Sequence, residues 1–198
     1  LKEVCEYLIS QEILPIILGG LQNMTIGQYL SYESTGKLLT LLNVDAKLDL
    51  EESENQTDSY LGAIFKHNPN YLFNYIHLGY QSYLLKESKL NMLDTLGFEA
   101  YRLGEFRGNI TETEPIIRDA DLMSFDLSAL QSIYCPDTLN PNVFGFSGEE
   151  ACQLCWYAGL NNKLSSIGFY NMTGELADDN KTAQEVATMV WYFIDGVF

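Results

Sequence analysis

Residues 38–49 read LLTLLNVDAKLD: an apolar run from Leu38 to Val44, broken only by Thr40 and Asn43, followed by Asp45, Lys47 and Asp49 at alternate positions. A run this short, without polar alternation, predicts a strand buried on both faces, and such strands belong to parallel sheets covered by helices. Similar segments recur on either side. Leu14–Leu18 reads as a strand closed by Gly19-Gly20, and Tyr71–Leu78, Glu99–Leu103, Asp121–Phe125 (ending on Asp126) and Leu164–Tyr170 follow it. Helical patterns lie between them. Leu1, Val4, Cys5, Leu8 and Ile9 mark one face of a first helix. Asn23–Tyr32, Lys86–Leu96, Thr111–Arg118 and Gly148–Leu160 read as further helices. The last helix carries Ala183, Val186, Ala187, Val190, Trp191 and Ile194 at helical spacing. The polar stretch Glu51–Ser59 reads as a loop. Strands alternating with helices predict an α/β fold: a three-layer arrangement of six parallel strands with helices on both faces, one domain over residues 1–198.

Composition agrees. With 198 residues, 46% of them hydrophobic and only 5 Pro, the chain buries a real core and is neither disordered nor low-complexity. The 27 acidic against 11 basic residues, a net charge of −16, exclude a duplex-binding surface and disfavour anionic membranes. No apolar stretch reaches the roughly 18 residues of a membrane span. Five Asn-x-Ser/Thr triplets, at Asn23, Asn55, Asn109, Asn171 and Asn180, read as accidents of an Asn-rich chain without a secretory signal, and a cytoplasmic location is expected. The sequence opens at Leu1 inside a helical pattern and reads as a fragment.

In parallel sheets ligands bind beyond the carboxyl ends of the strands, so the residues following each strand matter most. They are Gly19-Gly20-Leu21-Gln22 after the first, Asp45-Ala46-Lys47-Leu48-Asp49 after the second, and Ser124-Phe125-Asp126-Leu127-Ser128 around the end of another. Extended backbone past Val44 would place Asp45, Lys47 and Asp49 on one side, with Asp126 able to join them. Three converging carboxylates cannot all stay ionised without a compensating cation.

This order, Gly-Gly, then Asp-Ala-x-x-Asp, then Ser-Phe-Asp, resembles the ureohydrolases: arginase, agmatinase and formimidoylglutamase. Asn140-Pro141 to Glu150 and Lys163 to Gly174 resemble the family's late segments. The resemblance implies an arginase-like sheet whose first two strands lie upstream of Leu1, a trimer or hexamer, and two manganese ions whose bridging hydroxide attacks a guanidinium or formimino carbon. It maps six metal-ligand positions onto Gln22, Asp45, Lys47, Asp49, Asp126 and Ser128, and a substrate-contacting position onto Asn171. Asp45, Asp49 and Asp126 are retained. Gln22 and Lys47 replace two His, Ser128 replaces an Asp, and Leu21 replaces the Asp beside the first His. The departures fall on the chemistry. Lys47, with no lone pair while charged, is expected to stand in for the metal among the three Asp, leaving no cofactor and little hydrolase activity. The alternative is a divergent manganese hydrolase of linear C–N bonds in amidines, with Asp45, Asp49 and Asp126 holding one or two ions. A small-molecule ligand in the old cleft is compatible with the first reading.

Other candidates are structural. His67 in a loop and His77 in a strand match no ligand position. The Cys152/Cys155 pair reads as one inward and one half-buried thiol, and Ser124, Ser128 and Ser147 have no His partner. Gly145-Phe146-Ser147-Gly148 reads as a turn and helix cap, and Trp191-Tyr192-Phe193 as core and subunit contact.

Overall fold

The computed structural model describes residues 1–50, 56–172 and 180–198. Six strands, β1 (Ile16–Leu18), β2 (Leu39–Val44), β3 (Leu72–Tyr80), β4 (Glu99–Arg102), β5 (Leu122–Asp126) and β6 (Ser166–Tyr170), pair in parallel in the order β1-β6-β5-β2-β3-β4. The helices are α1 (Lys2–Ser10), α2 (Thr25–Leu30), α3 (Gln56–Phe65), α4 (Glu87–Thr95), the single turns α5 (Leu103–Phe106) and α6 (Glu114–Ile117), α7 (Gly148–Leu160) and α8 (Lys181–Val197). The expected α/β sheet with helices on both faces is therefore present.

The central strands β2, β5 and β6 are buried at every position, as their uninterrupted apolar character requires. Alternate residues feed two cores. Leu42, Val44, Ile76, Leu78, Met123 and Phe125 pack with Leu154 and Ala158 of α7, while Leu39, Leu41, Tyr75 and Leu122 pack with Tyr29, Tyr60, Ile64 and Leu93 on the other face. Along the chain, β2 leads to β3 and β4 on one side, and β5, on β2's other edge, leads to β6. The switch point falls between β2 and β5. Among the described residues no helix is long and apolar enough to cross a membrane.

Some local expectations are corrected. The predicted loop at Glu51–Ser59 contains the start of α3, which buries Tyr60, Leu61 and Ile64; residues 51–55 lie outside the described residues. The segments expected as helices at Asn23–Tyr32 and Thr111–Arg118 each begin with a 3-10 turn and are shorter. In α8 the buried face is Thr182, Val186, Met189, Phe193 and Gly196, whereas Ala187, Trp191 and Ile194 are exposed. Two apolar stripes of helical period lie side by side there. The choice is made by a glycine contact: a Cβ on Gly159 of α7 would stand 2.2 Å from the Phe193 carbonyl, and one on Gly196 would stand 2.4 Å from the Trp156 carbonyl. Cys152 and Cys155 are both buried, with thiols pushed up by desolvation, Cys152 to about 12; neither is a ready nucleophile.

The helix contact predicts that Gly159→Ala costs about 1–3 kcal/mol by overpacking, a fall of several degrees in Tm by calorimetry. Gly62→Ala is the control. Gly62 lies within α3 with nothing near the added Cβ, and that substitution is expected to gain roughly 0.5–1 kcal/mol.

Candidate functional site

The site forms because β2 and β5 are neighbours in register. Val44 pairs with Phe125, so the next residue on each strand, Asp45 and Asp126, emerges side by side at the carboxyl edge of the sheet. Each carboxylate folds back onto its own chain: Asp45 Oδ1 accepts the Lys47 backbone N–H at 3.0 Å, and Asp126 Oδ1 accepts that of Ser128 at 2.7 Å. These turns end the extended backbone immediately after the strands. On the other side of β5, Asp126 pairs with Tyr170 of β6, which brings Asn171 alongside. Asn171 has a positive φ of 67°, a conformation Asn tolerates. Its Nδ2 donates to Asp126 Oδ2 at 2.6 Å, and its Oδ1 accepts the Gln22 backbone N–H at 3.0 Å.

The Gln22 side chain is fully enclosed in this edge. Its amide is oriented by its neighbours. With the nitrogen towards the carboxylates, it donates to Asp126 Oδ2 at 2.9 Å, Asp45 Oδ2 at 3.1 Å and Asp49 Oδ2 at 3.2 Å, and its oxygen accepts from the Tyr60 hydroxyl at 3.2 Å. The amide nitrogen thus stands where the three Asp converge. The space left between Gln22, Asp45, Lys47, Asp49, Asp126, Ser128, Leu139, Asn140 and Asn171 is only about 20 Å³, enough for one water.

A family model described as the arginase family matches residues 1–195. The chain belongs to the arginase family. Its curated relatives include the formimidoylglutamase of Corynebacterium efficiens, 21% identical over 210 residues covering 96% of this chain and 63% of that protein. That of Staphylococcus aureus is 24% identical over 199 residues, 90% of this chain and 60% of that protein. The chain therefore spans somewhat under two thirds of the length of these relatives. Among solved structures, Trypanosoma cruzi formiminoglutamase with manganese superposes with a TM-score of 0.88 at 16% identity, over 99% of this chain and 69% of that one. Bacillus subtilis arginase superposes with a TM-score of 0.81 at 19% identity, over 98% and 76%. At these identities the superpositions show a shared fold.

In this arginase-family chain all seven site positions expected from the sequence come together at one sheet edge. One expected contact does not form. Lys47, half-buried on the rim, meets Asp45 through its backbone N–H; among the described residues its ammonium makes no ion pair with Asp45 or Asp126. The short amide of Gln22, carried in from the turn after β1, reaches the centre instead. Lys47 acts from farther away, its charge only slightly favouring the ionised form of both carboxyls. Burial dominates. It holds Asp45 well above the carboxylate range, with Asp126 and Asp49 adding to the effect, and raises Asp126 to about 6 against the opposing bonds from Ser128 and Asn171. An amide has two N–H protons for three carboxylates.

Two residues not singled out from sequence support the amide: Tyr60, and Asn43, whose side-chain amide lies 3.0 Å from that of Gln22. Behind Asn43 is His77, fully buried, with Nδ1 2.8 Å from the Tyr75 hydroxyl and Nε2 without a partner among the described residues. Asn43 is recognisable in retrospect as one of the two polar residues, with Thr40, that interrupt an otherwise apolar strand. His67 lies elsewhere, bound to Glu33. The expected cap is present: Ser147 and Glu150 form a reciprocal capping box at the start of α7.

Burial lowers His77 to about 3 from 6.5. A neutral buried His stabilises the fold fully above the unfolded value, and that contribution is lost as pH falls from 6.5 towards 3. Asp126 works the other way: its raised value favours the fold at low pH, an advantage lost as pH rises from 3.8 to about 6. Denaturant unfolding between pH 7 and pH 4 separates the two. His77→Gln is expected to flatten the acid loss of stability by up to about 1.4 kcal/mol per pH unit, and parallel curves for the two proteins would contradict a neutral His77.

Proposed function

We propose that this chain is a non-catalytic arginase-family homologue in which the Gln22 amide and a shared proton occupy the place where the family resemblance puts two manganese ions. The observation that carries this reading is the Gln22 side-chain amide, one end of which lies within 2.9–3.2 Å of Asp45, Asp49 and Asp126 and, facing only acceptors there, is assigned as its nitrogen. An amide N–H donor presents no lone pair to a cation, and the charged ammonium of Lys47 presents none either. Among the described residues no group of three or more His, Cys, Asp or Glu side chains is placed to hold a metal ion. The donor set therefore does not fit a dinuclear centre, and a space of about 20 Å³ leaves no room for a substrate. The role that remains is structural or ligand-binding. A cytoplasmic location and assembly into trimers or hexamers, carried over from the family resemblance, complete the reading.

A second reading has one observation in its favour. Asp45, Asp49 and Asp126 still converge, offering carboxylate oxygens of the kind manganese accepts, and the curated relatives are formimidoylglutamases. It makes the chain a divergent manganese hydrolase of linear C–N bonds in amidines.

Elemental analysis of the protein after equilibration with excess manganese and desalting separates the readings. Near-zero metal, with no urea, formamide or ammonia released from guanidino and formimino compounds, is expected. One or two bound equivalents with product formation would establish the hydrolase instead. Two substitutions extend the test. The double variant Gln22→His, Lys47→His is expected to gain manganese if the rest of the scaffold is competent. Gln22→Leu removes the donor at constant bulk and is expected to cost about 1–3 kcal/mol at pH 8, and less at pH 5, where the carboxyls retain more protons.

A further inference from the structure

Helices α7 and α8 run parallel and in constant register. Gly148 lies against Glu185, and eleven residues later on both helices Gly159 lies against Gly196. Beside this contact they line an open cavity of about 730 Å³ that shares no lining residue with the carboxylate cluster. Among the described residues its walls carry three aromatic rings, Tyr134, Trp156 and Tyr192, and three carboxylates, Glu149, Glu185 and Asp195, with no Lys, Arg or His. The carboxylates are distributed along it. At 1.5 Å of rise per residue, Glu185 and Asp195 are separated by about 15 Å along α8, with Tyr192 between them.

One end is built around Glu185. A Cβ on Gly148 would stand 2.7 and 2.8 Å from its two oxygens and 2.9 Å from the Tyr134 ring, so the carboxylate is seated between a glycine and an aromatic edge. Its hydrogen-bonding contact is the buried Cys152 thiol at a distant 3.9 Å, and burial raises its pKa. The first turn of α7 favours an anion here through its dipole. That accounts for neither Asp195 at the far end nor the three rings. A compact metal ion is a poor match for carboxylates spread this way, and none of the described clusters is arranged for one.

We propose that the cavity between α7 and α8 binds an extended organic cation, a linear aliphatic polyamine, with ammonium groups at the Glu149/Glu185 and Asp195 ends and its methylene chain along Trp156 and Tyr192. Ammonium groups gain from carboxylates and from aromatic faces, and the methylenes between them gain from burial against the rings. The site is independent of the state of the carboxylate cluster at the sheet edge.

The chain has 2 Trp, so Trp191→Phe leaves Trp156, in the cavity wall, as the sole indole reporter. Titrating that variant with spermidine at about 0.15 M salt, where distant charges are screened, is expected to give a saturable change in fluorescence. Adding Glu185→Gln or Asp195→Asn is expected to weaken it about three- to tenfold. Asp195 is exposed, so its variant keeps the test valid if Glu185→Gln disturbs packing. No saturable response would overturn the proposal. So would an undiminished response in both charge variants, or the same response to magnesium, which would mark general counter-ion attraction to an acidic protein.

Discussion

Everything at the carboxyl edge of the sheet follows from one alignment, Val44 of β2 opposite Phe125 of β5. Two central strands buried on both faces admit only the register that keeps every residue in its layer. That register delivers Asp45 and Asp126 next to each other in a place with almost no solvent. Two such carboxyls, with Asp49 close by, need compensating positive charge, hydrogen-bond donors or protons. Here the donors are the Gln22 amide, the Asn171 amide and the backbone N–H groups of Lys47 and Ser128.

Much of this was legible in the sequence. The apolar run ending at Asp45 was sufficient for a central parallel strand, and the strand ends gathered the residues that share the site. The sequence could not tell which side chain would reach the centre. Lys47 carries the charge that electrostatics favours, yet its chain turns after Asp45 and leaves it on the rim. Gln22 arrives from the far edge of the sheet by way of β1; the family resemblance puts it at this site, but nothing local to residues 19–23 records that its amide, rather than Lys47, reaches the centre. The C-terminal helix poses the same difficulty in another form. Its two apolar stripes have equal period, and only the close approach of Gly159 to Gly196 decides which one turns inward. In α3 the polar start, at the edge of an acidic stretch, conceals a helix whose later residues Tyr60, Leu61 and Ile64 are core.

The two regions contrast in their use of acidic side chains. At the sheet edge the carboxyls are tightly clustered, with Asp45 and Asp126 buried, and closed over by amides. Between α7 and α8 they are spread along an aromatic-walled opening and only partly withdrawn from water. At the first the carboxylates meet amide and backbone donors of the chain itself, whereas the second gathers carboxylates without such donors among the described residues. A net charge of −16 is thus not only a solvated surface.

The bond between the Gln22 backbone and Asn171 joins residues 149 positions apart in the chain. Closing so long a loop is entropically costly, and little is returned until both ends are docked. The outermost strand β1 and the late strand β6 must both be seated before the amides can cover Asp126. Until then this edge holds carboxyls with incomplete partners, so the polar lock closes only when β1 and β6, the first and last described strands along the chain and neighbours in the sheet, are both in place.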